Sequence, residues 1–142
     1  MKKIILSLII FCSMVVACNS VKTANTEKAV LQGAWELYYI SGPRRDFSKL
    51  YTNDKPTIIF DLKENRVFGK NSCNSYSGTL NVDKNKISFK GPITVTKMFC
   101  PGEGENIYMN TLEKIDSYSI SEDGKTLNFI GGDVARMRFK KK

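Results

Sequence analysis

The peptide FGKNSCNSYSGTL, residues 68–80, carries the arrangement on which the fold prediction depends: a short strand, a polar corner and a second strand. The strand candidate RVFGK leads into the corner at residues 72–75, and the candidate SYSGTLNV leaves it. The residues that follow, DKNK, are of the types that favour a tight reversal. Short strands joined by turns predict an antiparallel meander.

On both sides of this peptide the dominant period of the apolar residues is also two. Trp35, Leu37 and Tyr39 occupy alternate positions, as in a half-buried strand. Residues 44–55 have no clean period and are predicted to form a loop. Each further strand candidate is separated from its neighbours by a turn signal, and these candidates are TIIFDL, KISF, ITVTKMF, SYSIS, KTLNFI and VARMRF.

About eight short strands predict a mainly β fold, a small antiparallel barrel-like domain. A barrel is expected because closing the sheet removes the exposed edges that a long meander would leave. A two-sheet sandwich is the alternative, and the sequence period does not separate the two.

One segment departs from the strand period. After the loop PGEG, Tyr108, Leu112 and Ile115 stand at i, i+4 and i+7, the spacing of one helix face. Glu103 and Glu105 are acids placed where they favour a helix start. The sequence therefore predicts one helix over residues 105–116, packed on the barrel.

The first residues predict export and lipid attachment. Lys2 and Lys3 precede an uncharged apolar run that stops at Ala17, the layout of a secretory signal. That run is shorter than the ~20 apolar residues a spanning helix needs. The tetrapeptide VVAC, residues 15–18, resembles the lipobox of bacterial lipoproteins, in which the chain is cut before the cysteine and the cysteine receives the lipid. Cys18 is therefore the predicted lipidation site.

Three segments are expected from this reading. Residues 1–17 are a lipoprotein signal peptide, residues 18–32 are a flexible tether because they are small and polar, and residues 33–142 are the β domain. By resemblance to bacterial sorting signals, Asn19 rather than Asp after the cysteine favours the outer membrane, facing the periplasm.

The charge of the chain indicates the surfaces it can approach. Removing Lys2 and Lys3 with the leader lowers the formal net charge from +8 to +6. A positive balance draws a protein toward anionic surfaces such as lipid headgroups. Nucleic acid is not an expected partner outside the cytoplasm, so the expected partners are the membrane, through the lipid, and a protein.

The chain offers little material for catalysis or metal binding. It contains no histidine, and a cysteine nucleophile usually needs a neighbouring base, most often histidine. Cys73 and Cys100 are not a Cys-X-X-Cys pair, and two cysteines do not supply the four ligands of a zinc site. We expect a protein without enzymatic activity, metal or cofactor.

Cys73 and Cys100 have three possible states: a disulfide, two buried free thiols, or reactive thiols. An oxidising compartment favours the disulfide, and on the chain-entropy model that bond would add roughly 3–4 kcal/mol to the free energy of unfolding. The expected role of the pair is therefore structural.

The ordered motifs of the domain resemble the META domain family, also called the HslJ-like family. They are GAWEL, VFG, CNSYSG and TKMFC, followed by Glu105, Tyr108 and Leu112. The resemblance implies a barrel-like domain with a packed helix, found in bacterial envelope lipoproteins, with loose links to heat-shock response and drug tolerance and no established reaction. The motif residues expected to be structural are Trp35, Gly69, Asn74, Tyr76, Gly78, Thr96 and Met98.

The chain departs from the family pattern at two positions, since Ser72 stands where glycine is usual and Phe99 stands where alanine is usual. A left-handed backbone angle at Ser72 is less comfortable than at glycine. Asn74 is expected to cap local backbone groups of its turn. Met98 and Phe99 are expected on opposite faces of one strand, so that one is exposed, and an apolar patch shared with Tyr38 or Tyr51 would mark a contact surface.

These observations predict a non-enzymatic, lipid-anchored envelope protein that binds a protein partner, in envelope stress response or assembly. One alternative is a barrel that binds a small hydrophobic ligand or lipid, since eight-stranded barrels can hold one small molecule. Another is an inhibitor of a secreted hydrolase, although a charge of +6 opposes binding to basic enzymes.

Overall fold

The computed structural model describes residues 30–43, 46–52 and 54–142. The predicted signal peptide and Cys18 lie outside these residues. Two helices are α1 Phe47–Leu50 and α2 Gly104–Leu112. The strands are β1 Gly33–Ile40, β2 Thr57–Asp61, β3 Arg66–Lys70, β4 Ser75–Thr79, β5 Asn81–Asp83, β6 Lys86–Ser88, β7 Ile93–Val95, β8 Ser117–Ile120, β9 Thr126–Gly131 and β10 Val134–Lys141.

The strands form one antiparallel sheet in the order β5-β6-β8-β9-β10-β1-β2-β3-β4-β7. Strand β5 is the first in this order and β4 the last but one, yet Leu80 alone separates them in the chain. The sheet must therefore curl until its two ends meet at Leu80, whose side chain is buried. The predicted mainly β, barrel-like fold is confirmed, and the alternative of two stacked sheets is wrong.

Alternation along each strand supplies the core. In β2, Ile58 and Phe60 point inward and are fully buried, while their neighbours are half-exposed. Phe129 of β9 packs edge-on against Phe60 and Phe139, with ring centres 6.3 and 5.0 Å apart. Burying one such side chain contributes roughly 1.5–3 kcal/mol. Leu31, assigned from the sequence to the tether, is also fully buried, so the core extends into that segment.

Two predicted elements differ in extent. The strand candidate SYSGTLNV is broken at Leu80 into β4 and β5, and for this reason the described sheet has ten strands rather than about eight. The predicted loop at residues 44–55 contains the short helix α1.

The main helix begins one residue earlier than predicted and ends at Leu112 rather than residue 116. Its exit tightens because the Lys114 and Ile115 N–H groups donate to the carbonyls of Thr111 and Leu112, three residues back. Ile115 is still fully buried, in the turn after the helix. None of the helices within the described residues is long and apolar enough to cross a membrane.

Candidate functional site

Cys73 and Cys100 form the predicted disulfide, with Cα atoms 6.3 Å apart. The bond joins the corner between β3 and β4 to the segment that follows β7. We call residues 71–74 and 96–100 together the disulfide corner. Both cysteines are partly exposed, so the bond lies near the surface of the barrel.

The corner requires a left-handed backbone angle at Ser72, where φ is 101°. Glycine adopts this conformation at least cost, so serine is strained here. The Ser72 hydroxyl donates a hydrogen bond to the Asp54 carbonyl at 2.7 Å. The turn thus keeps a glycine-type geometry with a different residue, and the side chain ties it to the segment before β2.

Asn74 is 1% exposed and joins the two halves of the corner. Its Oδ1 accepts hydrogen bonds from the Met98 N–H and the Thr96 hydroxyl, both at 2.8 Å. Its Nδ2 donates to the Met98 carbonyl at 3.1 Å and to the Glu105 carboxylate at 3.0 Å. The prediction that Asn74 caps its own turn is wrong, because its partners lie more than 20 residues away. Asn71 Oδ1 makes the local cap instead, accepting from the Asn74 N–H at 2.8 Å.

The segment after β7 is held by side chains rather than by a strand ladder. Thr96 still pairs with Ser75, since its N–H donates to the Ser75 carbonyl and its Oγ1 accepts from the Ser75 N–H. Beyond Thr96 the Asn74 amide takes the place of a neighbouring strand. The predicted strand ITVTKMF therefore stops at Val95.

Met98 and Phe99 are both exposed, at 60% and 95% of their surface. The prediction that they lie on opposite faces of one strand is wrong, because no strand continues through them. Tyr51 does not join them, since it is buried and its hydroxyl donates to the Gly104 carbonyl at 2.9 Å. Tyr38 lies on another part of the barrel, beside Lys140.

Next to these two residues lies a groove of about 1050 Å³, between β7 and α2, which we call the edge groove. Strand β7 is the last strand of the sheet order, so the groove runs along the edge of the sheet. The rim carries charges of both signs, with Lys97 and Lys114 among the cations and Glu105 and Glu113 as the acids. The apolar lining comes from Phe89, Ile93, Val95, Met98, Phe99 and Met109.

Glycine and tyrosine from the motifs support the corner from inside. A Cβ at Gly69 would lie 2.1 Å from the Thr57 carbonyl oxygen, so this position leaves no room for a side chain. The Tyr76 hydroxyl donates to the same carbonyl at 2.9 Å and shares a hydrogen bond with the Tyr108 hydroxyl at 2.7 Å. Burial raises the pKa of both phenols. They therefore stay neutral at physiological pH and act as hydrogen-bonding groups.

The remaining motif residues lie in packing positions. Trp35 is fully buried, and its indole N–H donates to the Leu31 carbonyl at 2.9 Å. A Cβ at Gly78 would lie 3.2 Å from the Pro92 carbonyl oxygen, where β4 and β7 approach closely. Of the seven motif positions, Thr96 and Met98 are exposed, and Met98 alone presents an apolar side chain to solvent.

The edge groove places an apolar lining beside the outer edge of β7. Within residues 30–43, 46–52 and 54–142, no group of three Cys, Asp or Glu side chains is placed to hold a metal ion. The ionisable groups at the groove include Glu105, whose carboxylate is held by the Asn74 amide. What the site offers is an apolar surface beside a strand edge. Sequence reasoning missed Asn71 and Met109: the residue type of Asn71 could have indicated its local cap, since asparagine commonly bonds to nearby backbone groups, whereas Met109 reaches the groove only through the tertiary fold.

A model of the META domain family matches residues 17–142. The chain belongs to the META domain family. The META domain is similar to an NMR structure of a protein from Burkholderia xenovorans, with a TM-score of 0.65 and 20% identity, covering 84% of this chain and 88% of that chain. It is also similar to a crystal structure of a DUF4847 family protein from Bacteroides vulgatus, with a TM-score of 0.55 and 14% identity, covering 82% and 97% of the two chains.

At these identities the likeness between META domain and solved structures concerns the fold alone. No curated protein matches the chain.

Proposed function

We propose that this chain is a non-enzymatic, lipid-anchored protein of the cell envelope whose META domain binds a protein partner in the edge groove. The observation that carries the proposal is that Met98 has a fixed backbone and an exposed side chain. Its backbone N–H and carbonyl are both fixed by the buried Asn74 amide, while its side chain and that of Phe99 stand in solvent. A backbone that is already fixed loses less conformational entropy when the side chains it carries bind a partner.

The partner is inferred to present an extended segment to the edge of β7. In an antiparallel pair, the hydrogen-bonding direction alternates along the strand. Thr96 bonds to Ser75 of the neighbouring chain segment, so the backbone groups of Val95 and Ile93 are directed away from β4. A peptide can add to such an edge as a new strand and place alternate side chains in the adjoining groove.

The anchoring half of the proposal depends on the sequence of the leader. The VVAC motif at Cys18 and the residue Asn19 favour attachment to the outer membrane, facing the periplasm. A role in envelope stress response or assembly fits a tethered binding module. The absence of histidine and the neutral buried tyrosines support a protein without enzymatic activity.

A photo-crosslinking residue placed at position 99 of the full-length protein, in intact cells, tests the binding surface. The same residue placed at Val134 is the matched control, because Val134 is a 52% exposed apolar residue outside the edge groove. We expect one reproducible protein adduct from position 99 and none of that adduct from position 134. The adduct should weaken when Met98→Ser is added.

No reproducible adduct, or the same adducts from both positions, would contradict the proposal. Phe99→Ser should leave the free energy of unfolding within about 0.5 kcal/mol of the parent protein, because the ring is almost fully exposed. Loss of partner binding by this variant therefore reports on the surface and not on the fold.

A small hydrophobic ligand remains the second candidate, and its place would be the same groove. The barrel interior is occupied by core side chains such as Trp35, Phe60 and Phe129, whereas the edge groove has an apolar lining. Native mass spectrometry of protein isolated from its own cells would reveal such a ligand as a retained mass that Met109→Glu abolishes.

A further inference from the structure

A second surface lies on the outside of β1 and β10, where cations and aromatic rings alternate. The Arg138 guanidinium lies 5.2 Å from the centre of the Tyr39 ring, and the Lys140 amine lies 5.2 Å from the centre of the Tyr38 ring. We call these four residues the cation–aromatic face. Cation–π contacts at this distance hold long side chains in place at the surface.

The outward direction of these cations follows from the strand period. Met137 and Phe139 point into the core and are fully buried, so Arg138 and Lys140 between and beyond them point outward. The register places Arg138 opposite Tyr39 and Lys140 opposite Glu36. The face is therefore built by the ladder of β1 and β10.

The acid on this face is already paired. Glu36 lies 3.4 Å from the Lys142 amine and 3.7 Å from the Lys55 amine. The turn between β8 and β9 reaches the same end of β10, because the Lys141 N–H donates to the Lys125 carbonyl. That turn carries two further acids, Glu122 and Asp123. The Asp123 carboxylate accepts hydrogen bonds from the Ser121 hydroxyl and the Lys125 N–H. None of the salt bridges among the described residues involves Arg138 or Lys140, so both cations can attract an external anion.

The described chain enters the domain beside this face. The Lys141 amine donates to the Val30 carbonyl at 2.8 Å and lies 5.1 Å from the centre of the Trp35 ring. About a dozen residues separate Val30 from Cys18 in the sequence, and a chain of that length spans at most about 40 Å. A membrane that holds Cys18 would therefore lie within about 40 Å of Val30, and Lys141 and the neighbouring face lie beside Val30.

We propose that the cation–aromatic face docks on the anionic phospholipid headgroups of the membrane that holds the lipid anchor. Arginine and lysine bind phosphate oxygens by charge-assisted hydrogen bonds. Tyrosine rings are favoured at the level of the headgroups, because one end is apolar and the other polar. The positive charge, the tyrosine rings and the point where the chain enters the domain all favour anionic headgroups at this face.

Docking in this way orients the rest of the domain. Strand β7 lies five strands along the curled sheet from β10, in the order β10-β1-β2-β3-β4-β7. Four strands therefore separate the edge strand β7 from the docked face along the sheet. Docking of β10 on the membrane would leave the edge of β7 accessible to a protein partner.

The inference rests on the anchoring part of the proposed function, so its experiment uses protein without a lipid. The chain from residue 18 onward, with Cys18→Ser, contains every described element of the fold. Its binding is measured by flotation with vesicles of phosphatidylcholine alone and with vesicles of equal parts phosphatidylcholine and phosphatidylglycerol. We expect binding to the anionic vesicles, lost at high salt because surface charges are screened, and none to the neutral vesicles.

The decisive variant is Arg138→Gln with Lys140→Gln. Each cation near an anionic bilayer strengthens binding about fivefold, so the double variant should bind about 25-fold more weakly. The matched control is Lys63→Gln with Arg66→Gln, which removes the same charges from exposed residues on another part of the barrel. An equal loss in the control would show attraction by net charge alone and overturn the proposal, as would the absence of binding to anionic vesicles.

Two further results test the role of the tyrosine rings and separate membrane docking from partner binding in the edge groove. Tyr38→Ser with Tyr39→Ser should also weaken vesicle binding while keeping the charge, and unchanged binding would contradict a role for the rings. The adduct at position 99 is measured independently, so failure of vesicle binding leaves the groove proposal standing, and failure of the adduct leaves the membrane face standing.

Discussion

The cation–aromatic face and the disulfide corner present side chains to solvent by different means. At the face, β1 and β10 are each eight residues long and pair over most of their length, so the backbone ladder fixes which side chains point outward. At the corner, β7 has three residues, and the chain beyond it is held by Asn74 and the disulfide. A regular strand sends neighbouring side chains to opposite faces, and in β1 the rule is broken only at the register shift between Leu37 and Tyr39, which brings Tyr38 and Tyr39 to the same face. Releasing the chain from the ladder allows Met98 and Phe99 to be exposed together.

Removal of the disulfide is expected to have the largest effect on this contrast. Cys73→Ser with Cys100→Ser opens a loop with a sequence separation of 27, which on the chain-entropy model lowers the free energy of unfolding by roughly 3–4 kcal/mol. Urea unfolding of the variant and the parent protein measures the change. A reduced parent protein should match the variant.

Hydrogen exchange of the same variant locates the loss. Amides of residues 96–100 should exchange faster than in the parent protein because this segment opens locally. Amides paired between β1 and β10 should exchange faster only by the amount that the loss of global stability explains. Equal local opening at β10 would show that the two regions are not built independently.

Asn74→Ala is expected to have the next largest effect. The change leaves the Met98 N–H and the Thr96 hydroxyl without their buried acceptor, which costs about 2 kcal/mol. Asn106→Ala is the control, because Asn106 is an exposed residue of α2 at the same groove and should change stability by less than about 0.5 kcal/mol. Thermal and urea unfolding measure both variants. Equal effects would mean that Asn74 does not organise the corner.

Ser72 allows strain and hydrogen bonding to be separated at one position. Ser72→Ala removes the hydrogen bond to the Asp54 carbonyl but keeps a Cβ at a φ of 101°. Ser72→Gly removes the same bond and relieves the strain, so it should be more stable than Ser72→Ala by about 1 kcal/mol. Urea unfolding of the two variants gives this difference. If the two variants are equally stable, the backbone of the corner is unstrained.

The period of the apolar residues predicted the long strands. The sequence did not predict the hydrogen bonds that join side chains to distant parts of the chain. Alternation of Trp35 and Leu37, and of Met137 and Phe139, predicted the long strands and their buried faces. The predicted alternation was wrong beyond Leu37, because a register shift exposes Tyr39 and buries Ile40. The prediction for the disulfide corner was wrong, because an asparagine side chain usually makes hydrogen bonds to nearby backbone groups, whereas the side chain of Asn74 bonds to Met98. Period alone extended β7 through Phe99, since nothing in ITVTKMF marks the point where an amide replaces the ladder.

The smallest expected effect lies at the start of β10 and tests whether the ladder region depends on any single side chain. The Asp116 carboxylate accepts a hydrogen bond from the Gly132 N–H in the turn that leads into β10, at 2.8 Å. That bond, together with one from the Ser117 hydroxyl, lowers the pKa of Asp116. Since the pKa is lower in the folded than in the unfolded protein, the ionised form favours folding above the unfolded value near 3.9.

The stabilisation is therefore present at neutral pH and is lost as the pH falls below about 3.9 through the folded pKa. Asp116→Asn should flatten this part of the curve of unfolding free energy against pH, with little change in the pairing of β1 with β10. Asp133→Asn, in the same turn, is the matched control, because the Gly132 N–H donates to Asp116 and not to Asp133. Unfolding at a series of pH values measures both. If Asp116→Asn instead disrupts the cation–aromatic face, one carboxylate governs the ladder, and the contrast with the disulfide corner fails.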